Sequence, residues 1–135
     1  MSSSHTATVK VRFYELDPYD HVNHVNYLRY FETARVEFLS ELGFGLDVMK
    51  DRDLAIVVVE LHARFTGQAK LHDVIEVTTE VGEASGAVST WHQRMTLDDD
   101  PIAEIDIKAA FTSLEGKARR IPPEFLEKVS PSPIT

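Results

Sequence analysis

The sequence predicts an α+β protein in which an antiparallel sheet of about five strands packs on one long helix. Two observations carry this. Between Tyr14 and Gly43 lies the only substantial helical pattern before the C-terminus, and from Leu54 to Phe111 most segments alternate in polarity with period two. A third is the shortness of the turn-like joints between those segments, which implies antiparallel neighbours. One apolar sheet face then needs one helix as its cover.

Val9, Val11 and Phe13 alternate with Lys10, Arg12 and Tyr14, a first strand. Leu16-Asp17-Pro18-Tyr19-Asp20 breaks it, because an Asp side chain can bond its own backbone and Pro fixes φ. In the helix, Tyr27, Phe31, Ala34, Phe38 and Leu42 recur at helical steps. Asn23 can cap its start, and Gly43 can take the left-handed conformation that ends it. Gly43 to Asp53 reads as a loop or short helical turn. A second strand begins near Leu54. One of its faces carries Ala55, Val57, Val59, Leu61, Ala63 and Phe65, and the other turns from apolar to polar at Glu60, so the strand is expected to start buried on both sides. Ile75 to Val81 is a third strand, and Gly82 to Gly86 a hairpin candidate. Ala87 to Leu97 and Ala103 to Phe111 are the fourth and fifth, joined by a turn over Asp98 to Pro101. The polar phase of these strands (Glu60, His62, Arg64, Glu76, Thr78, His92, Arg94, Glu104, Asp106, Lys108) should face away from the helix. A short helix is expected over Glu124 to Val129, closing a single domain over 1–129, with 130–135 a disordered tail.

Composition excludes several classes. At 135 residues the chain can bury one core but not two. No apolar run approaches the roughly 20 residues of a membrane span. Met1 to Thr8 is polar, without the apolar stretch of a secretory signal. Absence of cysteine removes disulfides, thiolate nucleophiles and thiolate metal sites, and a cytoplasmic setting fits. A net charge of -8 argues against general nucleic-acid binding.

The polar segment before the helix gathers Asp17, Asp20, His21, Asn23, His24 and Asn26. The first-turn amides of His24 and Val25 lack helical partners, and the dipole makes that end partly positive, so it can receive an oxygen carrying negative charge. On pattern alone, Asp17 also fits a residue that simply holds an Asp-Pro turn, and Tyr27, Phe31 and Phe38 also fit plain core. His21 and His24 are spaced H-x-x-H, but no third ligand accompanies them, so no metal is expected. There is no Gly-rich phosphate loop, no G-x-S-x-G and no H-E-x-x-H, and no cofactor is expected.

An antiparallel sheet around one long helix is the hotdog architecture, and the run VRFYELDPYDHVNHVNYLRYFETAR from Val11 to Arg35 resembles the N-terminal signature of the 4-hydroxybenzoyl-CoA thioesterase family of hotdog acyl-CoA thioesterases. The shared features are a Val-Arg-aromatic strand end, an Asp shortly before a His-Val-Asn run, then Tyr-Leu and Glu-x-Ala-Arg. The Leu-Asp-x-Tyr-x-His-Val-Asn order is most similar to the bacterial long-chain acyl-CoA thioesterase branch. The resemblance implies that Asp17 is the catalytic carboxylate. It also implies that His24 stands at the first-turn position whose amide polarises the thioester carbonyl, a position that in one branch is itself a functional His. The chain departs from the signature at Asp20, where many members have Gly, and at His24, which replaces the second Asn of His-Val-Asn-Asn.

The implied chemistry asks for little else. A CoA thiol, with a pKa near 8.5, leaves as thiolate without a strong acid. Asp17 would activate water or attack the carbonyl itself, and the amides of His24 and Val25 would hold the oxyanion. The acyl group is expected against Tyr27 and Phe31, and CoA phosphates near Arg64, Lys70, Arg119 and Arg120. A homodimer or homotetramer is expected, since one helix covers limited area and long edge strands invite pairing. Two other readings stay open: a hotdog hydratase or dehydratase, and a non-catalytic acyl-CoA-binding module.

Overall fold

The computed structural model describes residues 4–129, so the tail expected over 130–135 lies outside the described residues. Strands β1 (Ser4–Lys10), β2 (Ala55–Phe65), β3 (Val74–Ser85), β4 (Val88–Leu97) and β5 (Asp100–Thr112) form one antiparallel sheet in the order β1-β3-β4-β5-β2. Helix α1 (His24–Glu41) lies over β1 and β3, α2 (Leu46–Asp51) follows it, and α3 (Pro123–Val129) closes one end.

The long helix forms as its pattern predicts. Asn23 caps it, its side-chain oxygen accepting the Val25 amide, and Gly43 takes φ +86° just past its end. Its buried stripe is Tyr27, Tyr30, Phe31, Ala34, Phe38 and Leu39. The sheet's inner face meets it with Ile75, Val77, Trp91, Met95, Ile105 and Ile107. Phe125 of α3 closes the far end against Phe44, Phe111 and Trp91, ring centroids 5.1 to 6.3 Å away.

Buried polar groups tie helix to sheet. Gln93 is fully buried, and its amide donates to the Phe31 carbonyl and to Thr79 Oγ1. Its own oxygen accepts from Arg35 at 2.8 Å.

The strand phases hold. Thr78, Arg94, Glu104 and Arg64 share one row of the outer face, and Glu80, His92, Asp106 and His62 the next. Three boundaries differ from expectation. The first strand lies earlier, because Phe13-Tyr14-Glu15 is a 3-10 turn that leaves Phe13 and Tyr14 exposed. The β3–β4 turn is the pair Gly86-Ala87, with a register shift after Val81. The β4–β5 turn is Asp98-Asp99, both at positive φ, which Asp tolerates better than most residues.

The largest difference is in β2. The register shifts between Val58 and Glu60, so the inner face carries Ile56 and Val58 before the bulge but Leu61, Ala63 and Phe65 after it. Ala55 and Val57 therefore point outward. Nor does the strand start buried on both sides. It is a sheet edge, and Val57, Val58, Val59, Leu61 and Phe65 are all exposed.

Candidate active site at the N-terminus of the long helix

A backbone bridge between Leu16 and Val22 closes the segment 17–21 into a loop. Inside it the Asp17 amide donates to the His21 carbonyl at 2.7 Å. Asp17 Oδ1 accepts the amides of Tyr19 at 2.8 Å and His21 at 3.2 Å. One carboxylate oxygen thus holds the turn, the bland role its sequence allows. Oδ2 has no hydrogen-bond donor among the described residues, and the side chain is half-buried. The tight loop needs one left-handed residue, and Asp20 supplies it at φ +64°. That accounts for the departure at this position, since Asp is among the few side chains that reach the conformation Gly adopts freely.

The helix start faces this loop. Val25 N–H is engaged by the Asn23 cap, whereas His24 N–H has no acceptor among the described residues. Of the two amides expected to be free, one is. The His24 ring is exposed and stands edge-on to Phe65 at 6.2 Å.

Glu15, which sequence reasoning passed over, anchors the arrangement. Its backbone carbonyl accepts from the Asn23 amide and from Asn26 Nδ2, both at 3.0 Å. Its buried carboxylate accepts from Arg12 N–H, the Arg12 guanidinium and the Tyr30 hydroxyl, at 2.7 to 3.0 Å. Burial alone pushes such a carboxyl up, but the Arg12 and Tyr30 donors outweigh it and hold Glu15 below its ordinary 4.5. Tyr30 is pushed above its usual range by burial and by donating to Glu15. A carboxyl depressed in the folded state stabilises the fold above its ordinary pKa, and that stability disappears as pH falls through the folded value. Glu15→Gln is therefore expected to cost about 1.5–3 kcal/mol at neutral pH. The gap from wild type should close in acid, which urea unfolding across pH measures.

Ala69 fixes the other wall. Its carbonyl accepts the Val22 amide, and its amide donates to the Tyr27 hydroxyl, each at 2.9 Å. Burial raises the Tyr27 phenol, the Ala69 amide opposes, and the charges of Asp17 and Asp73 add to the rise. The chain enters this wall at Gly67, where a Cβ would come within 2.7 Å of Ile102.

Asp17 lies in the loop that leads into the helix start carrying His24 and Val25, and the other expected site residues divide. Tyr27 and Phe31 are 3% and 0% exposed, so they are core beneath the site rather than surfaces for an acyl group. Their stripe was read correctly, but its innermost residues are covered by the sheet. Arg64 lies on the outer face, ion-paired with Glu104, because its register position points away from the helix. Lys70 follows Ala69 in the wall loop with its side chain exposed. Arg119 donates to the carbonyls of Arg52 and Asp53, at the end of β2 remote from Phe65.

Further along the helix a cavity of about 500 Å³ lies between α1 and β2, and neither His24 nor Phe65 lines it. Arg35, Val36, Leu39, Ile56 and Val58 line it among others. A hollow of about 730 Å³ lies on the outer sheet face among Glu60, His62, His92 and Asp106, but neither Asp17 nor His24 lines it. Among the described residues no three His, Asp or Glu side chains are grouped as a metal ion would need, and no helix is long and apolar enough to cross a membrane.

The chain is similar to known thioesterases in sequence and in fold. The acyl-CoA thioesterase YbgC of Haemophilus influenzae is 33% identical over 84% of this chain and 83% of its own. The long-chain acyl-CoA thioesterase FadM of Escherichia coli is 30% identical over 83% of this chain and 84% of its own. A crystal structure titled as a probable thioesterase from Bartonella henselae superposes with a TM-score of 0.85 at 25% identity, over 89% of this chain and all of that one. The fold is that of the hotdog thioesterases. The model of the thioesterase-like superfamily matches residues 11–129, and the chain belongs to that superfamily.

Proposed function

We propose that the protein hydrolyses acyl-CoA thioesters to free acid and CoA at the N-terminus of α1, as a homodimer. The observation that carries this is an unengaged helix-terminal amide, His24 N–H, on the helix that the loop holding an unengaged carboxylate oxygen, Asp17 Oδ2, leads into. The thioester oxygen accepts from His24 N–H, backed by the helix dipole. Asp17 either takes a proton from the attacking water or adds to the carbonyl carbon as nucleophile, and CoA leaves as thiolate. The Val25 amide joins as a second donor only when the Asn23 cap turns aside. The acyl group runs past Val25 and Leu28 toward the cavity between α1 and β2, and Lys70 meets the CoA phosphates. The names borne by the relatives from H. influenzae and E. coli support the substrate class. A cytoplasmic setting belongs to the same reading and suits a chain without cysteine.

Thiol release from saturated acyl-CoAs of increasing length tests this. Steady turnover is expected, and retention of acyl-CoA without release would instead mark a binding module. Water addition to an enoyl-CoA without thiol release would mark a hydratase.

The dimer follows from β2. Its edge is 11 residues long, its exposed side chains are largely valine, leucine and phenylalanine, and its own helix sits over the opposite side of the sheet. Pairing β2 with its copy satisfies the open backbone edge and covers the apolar side chains. Sedimentation at micromolar concentration should give at least about 30 kDa, twice the 15.2 kDa chain. A mass near 15.2 kDa contradicts the dimer.

A further inference from the structure

Between the end of β1 and the middle of α1 lies a hollow of about 700 Å³. Lys10, Arg12, Phe13, Tyr14, Tyr30 and His72 are among the residues that line it. The chain has 22 acidic and 14 basic residues, yet among the described residues no carboxylate is in this lining, while Lys10 and Arg12 are. Glu15 sits behind the wall, buried under Arg12 and Tyr30. Lys10 is exposed, and its ammonium makes no ion pair or hydrogen bond among the described residues. A concave, cation-lined place of this kind suits an anion, even on a protein of net negative charge.

Two aromatic rings frame the hollow. Phe13 and Tyr14 are 74% and 66% exposed and stand edge-to-face, ring centroids 5.5 Å apart. They are held outward. The 3-10 turn that carries them is closed by Glu15, which accepts from both the Arg12 N–H and the Arg12 guanidinium. The same guanidinium stands 5.7 Å over the Tyr14 ring. Fixed aromatic faces in water beside cations suit a flat aromatic ligand that carries phosphate. An acyl chain would gain nothing from the cations.

The 69–73 loop joins this hollow to the site. On one side of the loop Ala69 holds Val22 and Tyr27, next to the helix start. On the other, His72 N–H donates to the Val11 carbonyl and the Asp73 carbonyl accepts from Val11 N–H, at the hollow. Lys70 lies between the two, and the Asp73 carboxylate accepts from its backbone amide. Tyr30 and Thr33 of the lining stand about 9 and 14 Å from His24 along the helix axis. That is within the reach of an extended pantetheine arm. The cavity for the acyl group is on the β2 side of α1 and this hollow is on the β1 side, so each end of a thioester has its own flank of the helix.

We infer that the hollow takes the adenine nucleotide of the CoA substrate. Adenine stacks on Tyr14 with Phe13 as the side wall, and Lys10 and Arg12 receive the ribose 3′-phosphate. This rests on the acyl-CoA reading above, and it adds the handle that distinguishes CoA from a bare pantetheine. The handle binds alike in the ground state and the transition state, so it lowers KM and leaves kcat.

The test compares thiol release from acyl-CoA, acyl-dephospho-CoA and acyl-pantetheine that share one acyl group. Wild type should favour acyl-CoA over both in kcat/KM. Tyr14→Ala should narrow the preference over acyl-pantetheine about tenfold, through KM. Lys10→Ala should narrow the preference over acyl-dephospho-CoA about threefold, the scale of an exposed ion pair. Tyr14→Phe keeps the stacking face and should keep the preference. A merely structural Tyr14 lowers kcat/KM for all three substrates alike. Preferences that stay within about 1.5-fold of wild type in both Tyr14→Ala and Lys10→Ala overturn the assignment.

Titration with adenosine 3′,5′-bisphosphate keeps this apart from the hydrolysis reading. A wild type that releases no thiol from any acyl-CoA removes hydrolysis. The hollow then stands if the bisphosphate binds and Tyr14→Ala weakens that binding about tenfold. Bisphosphate that does not bind, or that binds wild type and Tyr14→Ala equally, removes the hollow as a nucleotide site.

Discussion

Asp17→Asn is expected to lower kcat for thioester hydrolysis by about 10²–10⁴-fold while the protein stays folded, dimeric and able to bind acyl-CoA. The carboxamide retains an oxygen in the place of Oδ1, so it can still accept the Tyr19 and His21 amides that shape the 17–21 loop. It cannot take a proton from water or form an acyl-enzyme through Oδ2. The proposed acyl path and Lys70 are untouched by this change, so KM should move much less than kcat. A variant that folds, binds acyl-CoA and turns it over at near wild-type rate would leave Asp17 as a turn residue only. Steady-state kinetics beside a circular-dichroism melt make the distinction.

Position 24 offers a sharper dissection, because Ala removes the side chain alone and Pro removes the side chain and the backbone N–H together, so Pro measured against Ala reads the amide. His24 is the first helical residue, where proline is tolerated and deletes the N–H as well as the imidazole. Asn23 before it is extended, at φ −62° and ψ 135°, a conformation the residue before a proline accepts. His24→Pro should therefore keep the helix and lose the oxyanion donor, at about 10²–10³-fold in kcat. His24→Ala keeps the amide and loses only an exposed ring lying against Phe65, so its expected effect is mild. The reverse order, with Ala severe and Pro no worse, would assign the chemistry to the imidazole.

Much of this was legible in the sequence, for physical reasons. The helix was readable because an 18-residue element repeats its apolar contacts often enough to fix a period, and because Asn23 and Gly43 mark its ends. The outward phase of Glu60 through Lys108 was readable because one face is buried, and a register slip would bury charge. The bulge in β2 was not, because Ile56-Val57-Val58-Val59 is apolar in either phase and carries no mark of the residue that drops out. Phe13 and Tyr14 misled for a related reason, since aromatic residues continue a strand pattern even where the chain turns.

In the site, Asp17 and His24 were visible through the family signature, and the free His24 amide through helix geometry. Glu15 was invisible, since an acid in a polar segment ordinarily faces water, and only the fold brings Arg12 and Tyr30 onto it. Tyr27 and Phe31 were credited with the acyl path because periodicity marks the buried side of a helix without separating core from cavity wall.

The most direct measurement is a crystal structure of the Asp17→Asn variant with an intact acyl-CoA. The expected density has the thioester oxygen about 2.7–3.1 Å from His24 N, the carboxamide at position 17 facing the carbonyl carbon, and the acyl chain between α1 and β2. A thioester seated on the outer sheet face, or one whose oxygen points away from the start of α1, would contradict hydrolysis at the helix N-terminus.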